Sequence, residues 1–224
     1  MRLVHILVKG NQAMELLTKF KPFAIRDGVY EAIRAALYNG QFAPGESINE
    51  RELAEELKVS RGPVREALLV LTAEGLMTHT QNYGFSRVRL SAEDLADIEQ
   101  VRVPLEALAL QLARQHVTED DLQELATLRD RIMEGMRKGA YPAHERADEE
   151  FHMRIGELSE NRWLVLAIRR VLVPYFAFEL LSLRGCIAPE QLVQEQHEAY
   201  LNYLKGSTSL SAEQCVEFHL RASR

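Results

Sequence analysis

The chain has 224 residues, 46% of them hydrophobic and 27% charged, which is enough apolar material for one large core or two modest ones. No apolar run approaches the roughly 20 residues of a membrane helix, and "MRLVHILVKGNQAMELLTKF" has neither a secretory apolar region nor a small-residue cleavage site, so a cytoplasmic protein is expected. Residues 1–90 carry 12 Lys+Arg against 10 Asp+Glu and residues 91–224 carry 15 against 23, so a polyanionic partner belongs to the first part.

Residues 1–20 read as a poorly ordered extension, with Met14 an alternative start. From Arg26 to Asn39, Val29, Ile33 and Leu37 recur at helix spacing, and Gly40 follows as a stop. "FAPGES" is a turn. Asn49 with Glu52 three residues on opens a short helix with Leu53, Ala54 and Leu57 inward. Ser60 caps the next helix, whose inward face is Val64, Ala67, Leu68 and Leu71 and which ends near Gly75; Pro63 fits its first turn. "LMTHTQNYGFSRVRL" alternates around a tip at residues 81–85 and predicts a two-stranded ribbon. Three helices and a hairpin within about 65 residues make a winged helix-turn-helix over residues 21–90.

After Ser91 the pattern is helical, with Ser91, Thr118 and Ser211 as caps and Pro142 and Pro189 as helix openers. Helices are expected near 91–115, 118–138, 142–159, 162–185, 189–205 and 211–222. Short connections then make residues 91–224 an antiparallel all-α bundle, and the fold class mainly α. Cys186 and Cys215 are isolated and read as reduced thiols.

Two constellations carry chemistry. Arg61 and Arg65 lie one turn apart near the start of the Ser60-capped helix, beside Gly62, with Arg51 on the preceding helix. A helix N-terminus with little bulk and two guanidiniums can enter a groove of double-stranded DNA and reach phosphates or guanine edges. In the bundle, Arg102 falls on the expected inward stripe of Leu95, Ile98, Leu105, Ala109 and Leu112, where it needs a partner. Glu106, one turn on, and a ligand carboxylate are both candidates. Asp148 and His152, at i and i+4, can chelate one ion, while His197 and His219 lie on apolar stripes of two later helices. Three imidazoles and a carboxylate suit Zn²⁺, with Ni²⁺ or Mn²⁺ alternatives, and leave one or two positions open. His144 competes for a place in this set, but it cannot readily join His152, because two helical turns span about 11 Å.

"GQFAPGESINERELAEELKVSRGPVREALLVLTAEGL" resembles the DNA-binding signature of the GntR family of bacterial transcription regulators, matching at Pro44, Gly45, Asn49, Glu50, Leu53, Ala54, Ser60, Arg61, Pro63, Val64, Arg65, Glu66, Ala67, Leu68 and Gly75. The resemblance implies that Arg51, Ser60, Arg61, Gly62 and Arg65 face an operator and that the wing reaches the minor groove around Gly84. "VRVPLEALALQLA", "DEEFHMRIGELSENRWL", "QHEAYLNYLKG" and "CVEFHL" resemble the FCD effector domain of the FadR subfamily. That resemblance implies metal ligands Asp148, His152, His197 and His219, with His144 outside the set, and Arg102 as the clamp on an effector's carboxylate. Arg169, Arg170, Tyr175 and Phe178 are further candidates for its walls. The expectation is a homodimeric repressor, not an enzyme, that binds operator DNA, a divalent metal ion and a small carboxylate effector. The rival readings are a metal-responsive regulator and a metal-dependent hydrolase fused to a DNA-binding module.

Overall fold

The computed structural model describes residues 22–182 and 188–220. The expected extension at 1–20 lies outside the described residues, as do Cys186 and the side chain of Phe178. In chain order the elements are α1 (Pro22–Tyr38), β1 (Ser47–Ile48), α2 (Glu50–Glu56), α3 (Arg61–Glu74), β2 (Met77–Thr80), β3 (Gly84–Arg87), α4 (Ala92–Ala113), α5 (Glu119–Arg137), α6 (Tyr141–Leu158), α7 (Arg162–Ser182), α8 (Glu190–Lys205) and α9 (Ala212–Leu220). The fold is mainly α, a winged helix-turn-helix followed by an antiparallel helical bundle.

In the winged unit, Val29, Ile33 and Leu37 of α1 meet Leu53 and Ala54 of α2 and Val64, Ala67, Leu68 and Leu71 of α3 in one apolar cluster. The Asn49 side chain accepts from the amides of Arg51 and Glu52, giving α2 its sharp start. Ser60 sits at the N-cap of α3, but its hydroxyl makes no capping bond, contrary to expectation. Gly75 ends α3 in the left-handed conformation at φ 86°, which a glycine adopts without strain. The ribbon forms with Met77 opposite Arg87 and Thr80 opposite Gly84, so its tip is residues 81–83, shorter than expected. A third strand joins it: β1 pairs antiparallel with β3, Ile48 opposite Phe85. Its two residues are too few to leave an alternation in the sequence.

In the bundle, reciprocal capping boxes start α4 at Ser91 and Asp94 and α5 at Thr118 and Asp121. The face that α4 buries is rotated from the expected stripe. Arg102, Glu106, Ala109, Leu110 and Ala113 are buried, while Leu95, Ile98, Leu105 and Leu112 are only partly so. Small residues let α4 approach α6, α7 and α9 closely, and the two charges are carried inward with them.

The two units share structure. Val173 and Ala177 of α7 belong to the winged unit's apolar cluster. Arg170 donates to the carbonyl of Thr72 at 2.8 Å and to that of Ala73, at the end of α3. Such a cation satisfies helix C-terminal carbonyls and suits the negative end of the dipole. Arg170 is therefore not a wall of the bundle's centre. Arg87, buried in β3, donates to the carbonyls of Phe42 and, at 3.1 Å, Ala177. Glu149 of α6 is buried and accepts from Arg34 at 2.5 Å and from the Tyr38 hydroxyl, both on α1. Among the described residues no helix is long and apolar enough to cross a membrane.

Candidate functional site

On the winged unit, the first turn of α3 presents Arg61, Gly62 and Arg65, all exposed, with the exposed Ser60 before them and Arg51 on α2. A Cβ added at Gly62 would meet nothing within 4 Å, so this glycine leaves the surface flat without being needed for packing. Arg65 is oriented from two sides: its guanidinium donates to Glu50 at 2.9 Å and lies 5.7 Å from the Phe85 ring centroid. The wing turns at Asn82 (φ 69°) and Gly84 (φ 82°), with Tyr83 exposed at its tip and Phe85 buried beneath it.

In the bundle, α6, α8 and α9 bring His152, His197 and His219 to one buried point, with Asp148 of α6 beside the first two. The Nε2 atoms of His152 and His219 lie 3.1 Å apart. Asp148 Oδ1 is 3.1 Å from His197 Nε2 and 3.2 Å from His152 Nε2. His152, His197 and His219 each offer a ligand atom within 4.8 Å of the others. A tetrahedral ion with bonds of about 2.0–2.1 Å spaces its ligand atoms about 3.3–3.4 Å apart, so these separations match the edges of a small coordination polyhedron. The outer contacts also suit a metal site: His197 Nδ1 faces the Val193 carbonyl at 2.8 Å, which leaves Nε2 with a free lone pair. His152 Nδ1 lies 2.6 Å from Glu106 Oε2, a close ion-pair contact though not a well-aligned hydrogen bond. His144 turns elsewhere, its Nδ1 3.2 Å from the Ile132 carbonyl. The donor set is chemically suited to a borderline divalent cation.

In this centre burial opposes every charged form, and the neighbouring groups decide the outcome. Burial opposes ionisation of Asp148, yet His197 and His152 hold its carboxyl well below the usual range. Burial also opposes charge on Glu106, but Arg102 and His152 bring it down to about 2. Burial lowers His152, while Glu106 and Asp148 outweigh it and raise the imidazole to about 9. Burial and then the charge on His152 push His219 well below the imidazole range. Without a metal, the stabilisation from His152 is complete below its ordinary value of 6.5 and is lost as pH rises through about 9. That from Glu106 is present above 4.5 and is lost as pH falls toward about 2. A cation needs the lone pair that this proton occupies, so cation uptake strengthens as pH rises.

Arg102 has Glu106, one of the two candidates the sequence offered, as its partner. Its Nε donates to Glu106 Oε1 at 2.7 Å, while Nη2, buried, has no hydrogen-bond partner among the described residues. The guanidinium lies 4.4 Å from the Tyr175 ring centroid and 5.3 Å from that of Phe176, both on α7. Of the candidate wall residues, Tyr175 is the one whose ring packs on the Arg102 guanidinium.

Sequence reasoning missed three things. Glu149, one residue past Asp148, carries no signal of its own in the sequence, yet its side chain is buried against Arg34 and Tyr38 of the winged unit. Tyr200, on the same apolar stripe as His197, carries a buried hydroxyl with no partner among the described residues. The contact between Arg170 and the end of α3 has no local signal, because it joins residues 97 and 98 positions apart.

Comparison with known proteins agrees with this architecture. Residues 25–86 match the model of the gntR family of bacterial regulatory proteins, and residues 97–222 match that of the FCD domain. The Nta operon transcriptional regulator of Aminobacter aminovorans is 47% identical over 132 residues, which span 58% of this chain and 61% of that protein. The uncharacterized HTH-type transcriptional regulator YdhC of Bacillus subtilis (strain 168) is 32% identical over 195 residues, 85% of each chain. The solved structure of E. coli McbR/YncC superposes with a TM-score of 0.71 at 26% identity, covering 89% of this chain and 93% of that one. These relatives are transcriptional regulators and not enzymes. The chain belongs to the GntR family, as a DNA-binding transcription regulator whose winged helix-turn-helix is joined to an FCD domain.

Proposed function

We propose that this regulator is a cytoplasmic homodimeric repressor whose operator affinity is lowered by a small organic acid bound beside a divalent metal ion. Residues 21–90 are the DNA-binding domain and residues 91–224 the effector and dimerisation domain. Arg51, Ser60, Arg61, Gly62 and Arg65 meet the major groove and Gly84 the minor groove. One recognition helix reads few bases, so a two-fold dimer on a palindromic site is required for specificity. Asp148, His152, His197 and His219 hold the ion, for which Zn²⁺ fits the donors best and Ni²⁺ or Mn²⁺ are alternatives. When bound, the ion supplies a Lewis-acid anchor for a carboxylate oxygen.

The observation that carries this reading is Nη2 of Arg102. A guanidinium only 1% exposed, with one N–H group left without a partner beside convergent metal-type ligands, is built for an anion that arrives. A regulator sensing the ion alone has no use for that donor. The test is a thermal-shift screen of organic acids on metal-restored protein, followed by operator binding with the acids that stabilise it. Arg102→Lys keeps a cation against Glu106 but lacks the fork. It is expected to retain metal and operator binding while losing the acid-induced shift, whereas an unchanged shift would place the acid elsewhere.

The chain's own contacts supply a route from this centre to DNA. Asp148 is a candidate ligand, and the next residue, Glu149, holds Arg34 and Tyr38 of the winged unit. On α7, Tyr175 and Phe176 lie on Arg102, while Val173 and Ala177 lie in the winged unit's core. A small rotation of α6 or α7 therefore moves α1 and α3 as bodies. Allosteric couplings are typically about 1–3 kcal/mol, so Glu149→Gln, which keeps shape but weakens the hold on Arg34, is expected to blunt acid-induced operator release by about fivefold or more while leaving acid binding intact. Equal release in the variant, read by titration of operator with and without acid, would remove Glu149 from the route.

A further inference from the structure

Among the buried polar atoms of the centre that lack a partner, the Tyr200 hydroxyl is one to which the carboxylate reading gives no task. Tyr200 lies on α8, three residues past His197, with 0% exposure. Its hydroxyl has no hydrogen-bond partner among the described residues. The ring is fixed edge-on to His152 (centroids 5.1 Å apart, 90°), His219 (5.7 Å, 88°) and Phe151 (5.9 Å, 85°), so it cannot swing away without disturbing the candidate ligands. Those contacts make Tyr200 part of the wall around the candidate ligands. Glu106 Oε1 accepts from Arg102 at 2.7 Å, while Oε2 lies 2.6 Å from His152 Nδ1 without an aligned hydrogen bond. Buried hydroxyls without a protein partner are rare in folded proteins, and each needs a water, an ion or a ligand to complete it.

A carboxylate has two oxygens. With one anchored at the ion and the other on Nη2 of Arg102, the Tyr200 hydroxyl is a third point of attachment. We infer that Tyr200 is a specificity-determining residue that donates to an additional oxygen on the effector, selecting 2-hydroxy or 2-oxo acids over plain carboxylates of the same length. The inference rests on the reading of this centre as a carboxylate site. Sites built to hydrogen-bond a substrate oxygen discriminate against analogues that lack it, because the buried group is then left unpaired.

The test is calorimetric titration of the full-length, Zn²⁺-loaded protein with acetate and with glycolate. Glycolate is expected to bind roughly tenfold tighter, the scale of one buried hydrogen bond. Tyr200→Phe removes only the O–H and should bring glycolate down to the level of acetate, with acetate affinity and zinc content unchanged. Arg102→Lys should weaken both acids alike. Since a hydroxyl can itself chelate zinc, a glycolate preference that survives in Tyr200→Phe overturns the assignment. So does equal binding of the two acids by the unmodified protein, a result that leaves the carboxylate site standing. A Tyr200→Phe protein that loses zinc or acetate as well makes the hydroxyl structural and also overturns it. If neither acid binds the zinc-loaded protein, the carboxylate reading fails and this inference fails with it.

Discussion

Replacing Arg61 and Arg65 together with alanine is expected to abolish specific operator binding while leaving thermal unfolding where it was. Both side chains are exposed at the start of α3, Arg65 covers the Phe85 ring only from outside, and the core is carried by Val64, Ala67, Leu68 and Leu71 on the opposite face. The Arg65–Glu50 pair is exposed on the arginine side and contributes at most about 1 kcal/mol to stability. Each base-reading or phosphate-bound arginine is worth roughly 1–3 kcal/mol of binding, so the double variant should lose about a hundredfold or more in operator affinity. The slope of affinity against salt should also fall by about two charges. Gel-shift titrations on operator and scrambled DNA at several salt concentrations read both effects. Sequence-specific binding that persists in the variant would move recognition off α3.

The second large effect is expected at His197. His197→Ala removes one candidate ligand from a centre in which Asp148, His152 and His219 remain. Loss of an outer contact alone typically costs 10- to 100-fold in metal affinity, and loss of a ligand should cost more. Elemental analysis of the purified variant should find little bound metal, and organic acids should no longer raise its melting temperature. The variant opens space in a fully buried position, so its metal-free stability falls as well, by about 2–4 kcal/mol if it behaves as other large-to-small core changes. The discriminating measurement is therefore added metal: it should stabilise the unmodified protein and not the variant. Full occupancy in His197→Ala would mean that other residues hold the ion.

Much of this was legible before any coordinates, for reasons that differ along the chain. The cores of α1, α2 and α3 follow from helix periodicity, since Val29, Ile33, Leu37, Leu53, Val64, Leu68 and Leu71 obey a spacing that depends only on local geometry. The convergence of His152, His197 and His219 was legible because each breaks an apolar stripe, and three such breaks in one bundle need a common cause. What the pattern hid was non-local. On α4 the leucines suggested one inward face, whereas small residues and the Arg102–Glu106 pair occupy the closest contacts. Glu149 reads as a solvent-facing acid until α1 is seen to cover it, and the two-residue β1 is too short for any alternation.

The contacts of Arg170 and Glu149 bear on how far this molecule can be treated as interchangeable parts. The winged unit ends its recognition helix on a guanidinium supplied by α7, and it completes its apolar interior with Val173 and Ala177. A hybrid that joins residues 21–90 to the bundle of another regulator would strip the Thr72 and Ala73 carbonyls of their cap and leave Arg34, Tyr38 and Arg87 facing foreign side chains. Successful grafting would require the α6 and α7 surface to travel with the DNA reader, so the natural seam for swapping specificities lies within the bundle and not at the linker near Ser91.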